Sequence, residues 1–174
     1  PNDMQTIIED SMDTAYAFME KMEDKADRVQ LTMDVDENLP KIPMDARRIR
    51  QVITNLLSNA IKFTHDGEVQ LTVKAVEEGI YIEVKDSGIG IPESEVDKLF
   101  EAFERTTQAK EQNIEGTGLG LPISQYLVQQ HGGVLAVEST DGQGATFKFT
   151  LPYELPAIDA PEKPSSMKQI LKPD

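Results

Sequence analysis

The chain of 174 residues contains no cysteine and only two histidines. Without cysteine there is no disulfide framework, and no signal-like apolar segment is present, so nothing indicates secretion. No apolar run reaches the roughly 18 to 20 residues that a membrane-spanning helix needs. The net charge of -14 opposes contact with nucleic-acid phosphates. We therefore expect a cytoplasmic segment that touches neither nucleic acid nor membrane, with any anchor of the parent protein outside it.

The length fits one core domain with a tail. We expect the domain to span residues 1–152. The remaining segment, 153–174, is predicted to be a linker or tail, because prolines punctuate it and it has no hydrophobic periodicity. Since the sequence begins with Pro1 rather than Met, we also expect it to be a piece of a longer protein.

Three long segments and one short one have the apolar spacing of helices. The first, within residues 1–29, is capped by Asp3 and predicted to run to about Arg28. Its apolar face consists of Met4, Ile8, Met12, Ala15, Met19, Met22, Ala26 and Val29. We interpret this face as packing on a sheet, and the alternative is a seam that continues a dimeric coiled coil. The other predicted helices span 46–63, 93–103 and 119–131.

Alternating apolar and polar residues predict five strands. They lie at 30–35, 68–76, 80–85, 134–139 and 145–151. Short turns join the second strand to the third and the fourth to the fifth, which makes two hairpins and a mixed, mostly antiparallel sheet. The predicted fold class is therefore α+β, a two-layer α/β sandwich with about five strands and three main helices on one face.

Four short motifs follow one another in a fixed order, although each alone would be a weak signal. They are Asn55-Leu-Leu-Ser-Asn59, Asp86-Ser-Gly88-Ile-Gly90, Phe100-Glu-Ala-Phe103 and Gly116-Thr-Gly118-Leu-Gly120. The last motif leads into a helix with Pro122 in its first turn, so backbone amides and the helix dipole converge on an anion. It is not a P-loop, because no Gly-Lys-Ser/Thr follows, and its glycine spacing does not fit a dinucleotide fingerprint.

Asp86, at the end of an apolar strand, is the candidate group for reading a base. Adenine presents an exocyclic amine where guanine presents a carbonyl, and a carboxylate can accept a hydrogen bond only from the amine. Gly88 and Gly90 would let the backbone approach the base closely. An ordinary strand-ending turn is the alternative, because Asp-Ser-Gly is common turn chemistry.

The polar side of the second helix is a candidate for holding phosphate and metal. Asn55, Asn59 and Lys62 are spaced by four and three residues, so their side chains project from one side. A side-chain carbonyl is an oxygen ligand of the kind that Mg2+ takes, together with phosphates and water. A merely solvated helix face is the alternative.

The four motifs, in this order, resemble the catalytic ATP-binding domain of sensor histidine kinases. The wider superfamily includes gyrase B, the heat-shock chaperone ATPases and the mismatch-repair ATPases, and the resemblance covers about residues 45–152. It implies the Bergerat ATP-binding fold and ATP with Mg2+ as the bound cofactors. It also implies transfer of the γ-phosphate to a histidine of a separate dimerisation and phosphoacceptor domain, and a response-regulator receiver domain as a further partner in two-component signalling.

The same resemblance implies roles for single residues. Asp86 would bind the adenine amine and Asn59 would bind the metal. Asn55 stands where hydrolysing relatives carry a glutamate that orients water, which favours transfer over hydrolysis; with Lys62 and Arg105 it forms the expected catalytic set. The residues expected around the nucleotide are Asn55, Asn59, Lys62, Phe63, Asp86, Gly88, Gly90, Ile91, Phe103, Gly116, Thr117, Gly118, Leu119, Gly120 and Thr146.

Residues 104–118 are then expected to form the ATP lid, with Phe100 and Phe103 packing at its hinge. One departure from the family is Ala145, which stands where Ser or Thr is common, although Thr146 follows it. Two other functions remain open for such a chain. One is an ATPase that drives a conformational cycle, and the other is a non-enzymatic module that binds nucleotide or docks a partner.

Neither histidine is expected to be the phosphoacceptor. His65 lies in a Thr-His-Asp-Gly turn, and His131 ends a helix, where a partly charged imidazole would complement the dipole. We therefore expect the acceptor on another segment or another chain.

Overall fold

The structure, a computed structural model, describes residues 3–101 and 120–155. The four helices in this part of the chain are α1, Met4–Glu20; α2, Ala46–Lys62; α3, Glu93–Val96; and α4, Gly120–Gln130. The five strands are β1, Val29–Val35; β2, Gly67–Ala75; β3, Gly79–Asp86; β4, Ala136–Ser139; and β5, Ala145–Pro152. The predicted lid at 104–118, Phe103 and the tail from residue 156 lie outside the described residues.

The strands form one mixed sheet in the order β1-β2-β3-β5-β4. β1 runs parallel to β2, and α2 lies in the connection between them, as a parallel pair requires. The other neighbours pair antiparallel, and the register places Asp86 of β3 opposite Val69 on one side and Ala145 on the other. The predicted mixed, mostly antiparallel sheet of five strands is confirmed.

The core lies between the sheet and the helices. Every second residue of the central strands is buried, so one face of the sheet is apolar and the other carries charged and hydroxyl side chains. α2 packs on β2 and β3 through its apolar side, and both α1 and α4 pack against α2. The fully buried residues of α2 include Ile49, Ile53, Leu57 and Ile61. The helices thus cover one face of an open two-layer sandwich, as predicted.

Helix α1 begins at the predicted cap, where Asp3 accepts a hydrogen bond from the backbone N–H of Gln5. The apolar face, including Ile8 and Met12, is buried within the same chain, and α1 packs against α2, where the sequence suggested packing on the sheet. This burial favours a packed helix over an open coiled-coil seam. The predicted length is wrong, because α1 ends at Glu20 and turns occupy the residues up to 28. The helix ends early because the turns after it bring Lys25 to the end of α2.

Lys25 is only 3% exposed and caps the carboxyl end of α2. Its ammonium donates to the carbonyl oxygens of Ile61 at 2.9 Å, Lys62 at 2.6 Å and Thr64 at 3.0 Å. These carbonyls lie at the end of a helix, where such groups lack helical partners and where the dipole favours a cation. Burial lowers the pKa of Lys25, and neighbouring Asp24 opposes that shift. The turns after α1 deliver this side chain to α2.

The short helix after Pro92 is also shorter than predicted. α3 ends at Val96, and the chain then continues in turns closed by bonds between residues three apart, such as Leu99 N–H to the Val96 carbonyl. Tighter turns of this kind let Leu99 and Phe100 both pack against the core.

His131 bridges the end of α4 and the start of α2. One ring nitrogen, Nδ1, lies 2.7 Å from the Leu127 carbonyl, and Nε2 accepts from the backbone N–H of Asp45 at 3.0 Å. Because a backbone N–H can only donate, Nε2 must be unprotonated in this bond. His131 thus joins the two helices through both of its ring nitrogens.

We predict that Lys25→Met lowers the free energy of unfolding by about 1–3 kcal/mol, because buried carbonyls lose their donor. Urea denaturation of the apo chain measures this. Lys21→Met is the matched control, since Lys21 is exposed at the end of α1. Equal stability of the two variants would contradict the capping role.

Candidate functional site

A cleft opens between the last turns of α2 and the end of β3. It holds about 430 Å3 including its open mouth. Its walls are mostly apolar, and its few polar groups include a carboxylate at one end and an amide on the helix. The lining residues are Asn59, Ala60, Phe63, Asp86, Gly90, Ile91, Leu99, Ala145 and Phe147. An apolar cleft with a few convergent polar groups is the usual form of a small-molecule site.

Asp86 lies at the base of this cleft and is 6% exposed. Its Oδ1 accepts from the backbone N–H groups of Gly88 at 2.9 Å and Ala145 at 3.3 Å. Burial raises the pKa of Asp86, and these two bonds act against that rise. Both bonds end on Oδ1, and within the described residues Oδ2 accepts no hydrogen bond.

The loop after β3 is held closely by its surroundings. Gly90 has φ +69°, and a Cβ there would lie 2.1 Å from the Thr140 carbonyl oxygen. A Cβ on Gly88 would lie 2.2 Å from the Phe63 carbonyl oxygen. The glycines are therefore required by the approach of the protein's own backbone, whereas the sequence suggested the approach of a base.

Two further contacts hold this loop. Ser139 Oγ accepts from the Ile91 N–H at 2.8 Å, and the Ile89 N–H donates to the Phe63 carbonyl at 3.0 Å. The first joins the loop to β4 and the second joins it to the end of α2. The Asp86 loop and the amide-bearing helix are thus one connected unit.

The polar side of α2 points in two directions. Asn59 and Phe63 line the cleft, together with Asp86 from the second motif. Asn55, one turn earlier, faces the first turns of α4, where its Nδ2 donates to Ser124 Oγ at 3.1 Å. A Cβ on Gly120 would lie 2.5 Å from Asn55 Oδ1, so α4 begins directly against this amide.

Two of the expected site residues lie elsewhere in the structure. The Lys62 ammonium lies 5.8 Å from the ring centroid of Phe18, on the side of α1. Thr146 is on the polar face of the sheet, because strand residues alternate and Ala145 takes the cleft-facing position. Arg105, Phe103 and the motif residues Gly116, Thr117, Gly118 and Leu119 lie outside the described residues.

Several residues of the site were missed from the sequence. Leu99 and Phe147 supply apolar wall, and Ala145 supplies a backbone donor to Asp86. The alternation of β5 could have placed Ala145 and Phe147 on the inner face. No periodic signal identifies Ser124 or Lys25, because their contacts join segments that are distant in the sequence.

Metal-binding capacity within residues 3–101 and 120–155 is limited. No group of three or more His, Cys, Asp or Glu side chains there could hold a metal ion. A cation near Asn59 would therefore need oxygen ligands from a bound anion and water. In the same residues, every helix is too short or too polar to cross a bilayer.

Comparisons with known proteins agree on one family. The model for the histidine kinase-, DNA gyrase B-, and HSP90-like ATPases matches residues 44–155. Sensor histidine kinase WalK of Bacillus subtilis (strain 168) is 40% identical over 139 residues, 74% of this chain and 23% of that protein. The circadian input-output histidine kinase CikA of Synechococcus elongatus is 42% identical over 129 residues, 72% of this chain and 17% of that protein. The chain thus spans less than a quarter of either relative.

Solved structures show the same fold. Full-length ShkA, crystallised in complex with AMPPNP, matches with a TM-score of 0.74 and 30% identity, over 91% of this chain and 32% of that one. The mycobacterial sensor histidine kinase MprB matches with a TM-score of 0.74 and 26% identity, over 89% of this chain and 99% of that one.

We predict that Asp86→Asn stabilises the apo chain more at pH 7 than at pH 4. The folded-state pKa of Asp86 is raised above its ordinary 3.8, so the buried charged form costs stability as the pH rises through that raised value. The asparagine variant lacks this cost. Urea unfolding across this pH range measures the difference, and Asp66→Asn, in an exposed turn, controls for net charge. An equal gain at both pH values would contradict the burial of a charge.

Proposed function

Because the chain belongs to the family of histidine kinase-, DNA gyrase B- and HSP90-like ATPases, we propose that it is the catalytic ATP-binding part of a sensor histidine kinase. It would bind ATP with Mg2+ and donate the γ-phosphate to a histidine on a separate dimerisation and phosphoacceptor domain. The observation that carries this proposal is the buried Asp86 carboxylate at the base of an apolar cleft whose rim bears Asn59.

The base end of the cleft suits adenine. Asp86 Oδ2 would accept from the exocyclic amine, while Oδ1 stays bound to Gly88 and Ala145. Ile91, Phe147 and other apolar walls would cover the flat faces of the ring. A hydrogen bond from this amine would compensate the buried carboxylate, which otherwise lacks the solvent that favours its charge.

The triphosphate would extend along α2 towards α4. The Asn59 side chain supplies one oxygen of the kind that Mg2+ takes, and the phosphates and water would supply the others. Asn55 would face the phosphates from the next turn, beside the first turn of α4. The metal would neutralise phosphate charge that this acidic chain could not balance alone.

The proposal also includes roles for Lys62, Arg105 and the segment 104–118. Lys62 would leave Phe18 to contact phosphate, which its long flexible side chain permits. Arg105 would reach the terminal phosphate, and residues 104–118 would close over it. Catalysis would be mainly positioning and charge stabilisation, as is usual in phosphoryl transfer.

The acceptor would come from outside this chain. Both ring nitrogens of His131 are engaged in its contacts with Leu127 and Asp45, so neither can attack a phosphate. His65 lies in the exposed turn after α2. A helical acceptor domain, in the same protein or in trans, and then a response-regulator receiver domain would be the partners, in the cytoplasm where ATP is available.

We predict that Asn59→Ala removes most of the Mg2+ dependence of ATP binding. Titration calorimetry with ATP, with and without Mg2+, measures the ratio of the two dissociation constants. The wild type should show a marked difference between them, and Asn59→Ala a much smaller one. If the variant keeps the full wild-type ratio, the metal assignment fails.

We also predict that Asp86→Asn weakens ATP binding at least tenfold, or about 1.4 kcal/mol. The variant's Oδ1 would keep the bonds to Gly88 and Ala145, which turns its amide nitrogen, a donor, towards the donor amine of adenine. With labelled ATP and a histidine-kinase acceptor domain added in trans, the wild type should label the acceptor and Asp86→Asn should label it weakly at low ATP.

The outcomes of this assay separate the proposed function from its rivals. ATP binding without any label on the acceptor would favour a non-enzymatic module. Steady ATP hydrolysis without acceptor, abolished by Asn55→Ala, would favour an ATPase that drives a conformational cycle.

A further inference from the structure

Ser124 is a buried serine of α4 whose hydroxyl forms a hydrogen bond with a side chain of another helix. It is 2% exposed, and its Oγ accepts from the Asn55 side-chain amide at 3.1 Å. The two residues are 69 positions apart in the sequence and belong to different helices. Their bond therefore joins the first turns of α4 to the polar side of α2.

A steric contact acts on the same amide. A Cβ on Gly120 would lie 2.5 Å from Asn55 Oδ1 and 2.9 Å from Nδ2, so the start of α4 leaves the amide no room on that side. A hydrogen bond at one end and a wall along one face restrict both torsions of a side chain that would otherwise occupy several rotamers. The orientation of Asn55 is thus determined by α4.

We propose that Ser124 is a positioning residue, which holds the Asn55 amide in the orientation needed for phosphoryl transfer. This rests on the proposed function, in which Asn55 faces the phosphates. Since Ser124 does not line the adenine cleft, its hydroxyl should matter for the transfer step and not for capture of the base. Small errors in the placement of a catalytic group reduce rate far more than affinity.

The chain offers a matched control for this hypothesis. Ser58 Oγ donates to the backbone carbonyl of Asn55 at 3.0 Å, so it touches the same residue through its main chain. Ser58→Ala removes the same group as Ser124→Ala, a hydroxyl bonded to Asn55. Only the loss of Ser124 should release the side-chain amide.

The first test needs no nucleotide. In 15N-1H spectra of the full apo chain, the paired Nδ2 protons of Asn55 should give a shifted and slowly exchanging signal, assigned from its loss in Asn55→Ala. Ser124→Ala should move this signal towards that of a solvated amide and speed its exchange, whereas Ser58→Ala should leave it in place. An unchanged signal in Ser124→Ala would overturn the proposal, whatever the chain does with ATP.

The second test measures transfer to an acceptor domain supplied in trans. Ser124→Ala should lower kcat about three- to tenfold, the range expected for one lost hydrogen bond, with KM for ATP within about twofold of wild type. In the Asn55→Ala background the same change should have no further effect. An equal loss in both backgrounds, or a loss confined to KM, would overturn the proposal.

The two tests also separate this proposal from the function on which it rests. If the wild type binds ATP but labels no acceptor, the proposed function fails, while the amide spectra still decide whether Ser124 holds Asn55. If the wild type labels the acceptor and Ser124→Ala matches it in kcat, the positioning role alone fails.

Discussion

The packing of α2 on the inner face of the sheet is the interaction on which the rest of the structure depends. The fully buried Ile49, Ile53, Leu57 and Ile61 fix one side of this helix against β2 and β3. This packing also fixes the direction of the opposite, polar side of α2, so Asn59 faces the cleft and Asn55 faces α4. A single amphipathic period thus determines both the core and the placement of the amide groups.

The cleft contains a destabilising group that the proposed ligand would compensate. Asp86 is a carboxylate in an environment that raises its pKa, and the chain already carries a large excess of negative charge. Two backbone N–H groups only partly offset the burial of its charge. A destabilising buried charge is typical of binding sites, where the empty protein loses stability and the bound molecule compensates the charge.

Much of the fold could be predicted from the sequence, because local patterns determine it. The hydrophobic period of α2, the alternation in the strands and the hairpin turns gave the mixed five-stranded sheet with helices on one face, and the structure confirms it. The order of the motifs also gave the family, which the comparisons confirm. The predicted ends of α1 and α3 were wrong, because the tertiary contacts of Lys25 and Leu99 override the helical pattern. For the same reason the contact of Ser124 with Asn55 could not be found from the sequence.

The two ends of α2 are each fastened by a side chain from elsewhere in the chain. His131 accepts from the N–H of Asp45 at its start, and Lys25 donates to carbonyls at its finish. A helix fixed at both termini cannot fray one turn at a time, so its amide protons should exchange with solvent only in large cooperative openings. Any widening of the cleft that admits a ligand must then come from the elements around α2, while this helix serves as the rigid reference against which they move.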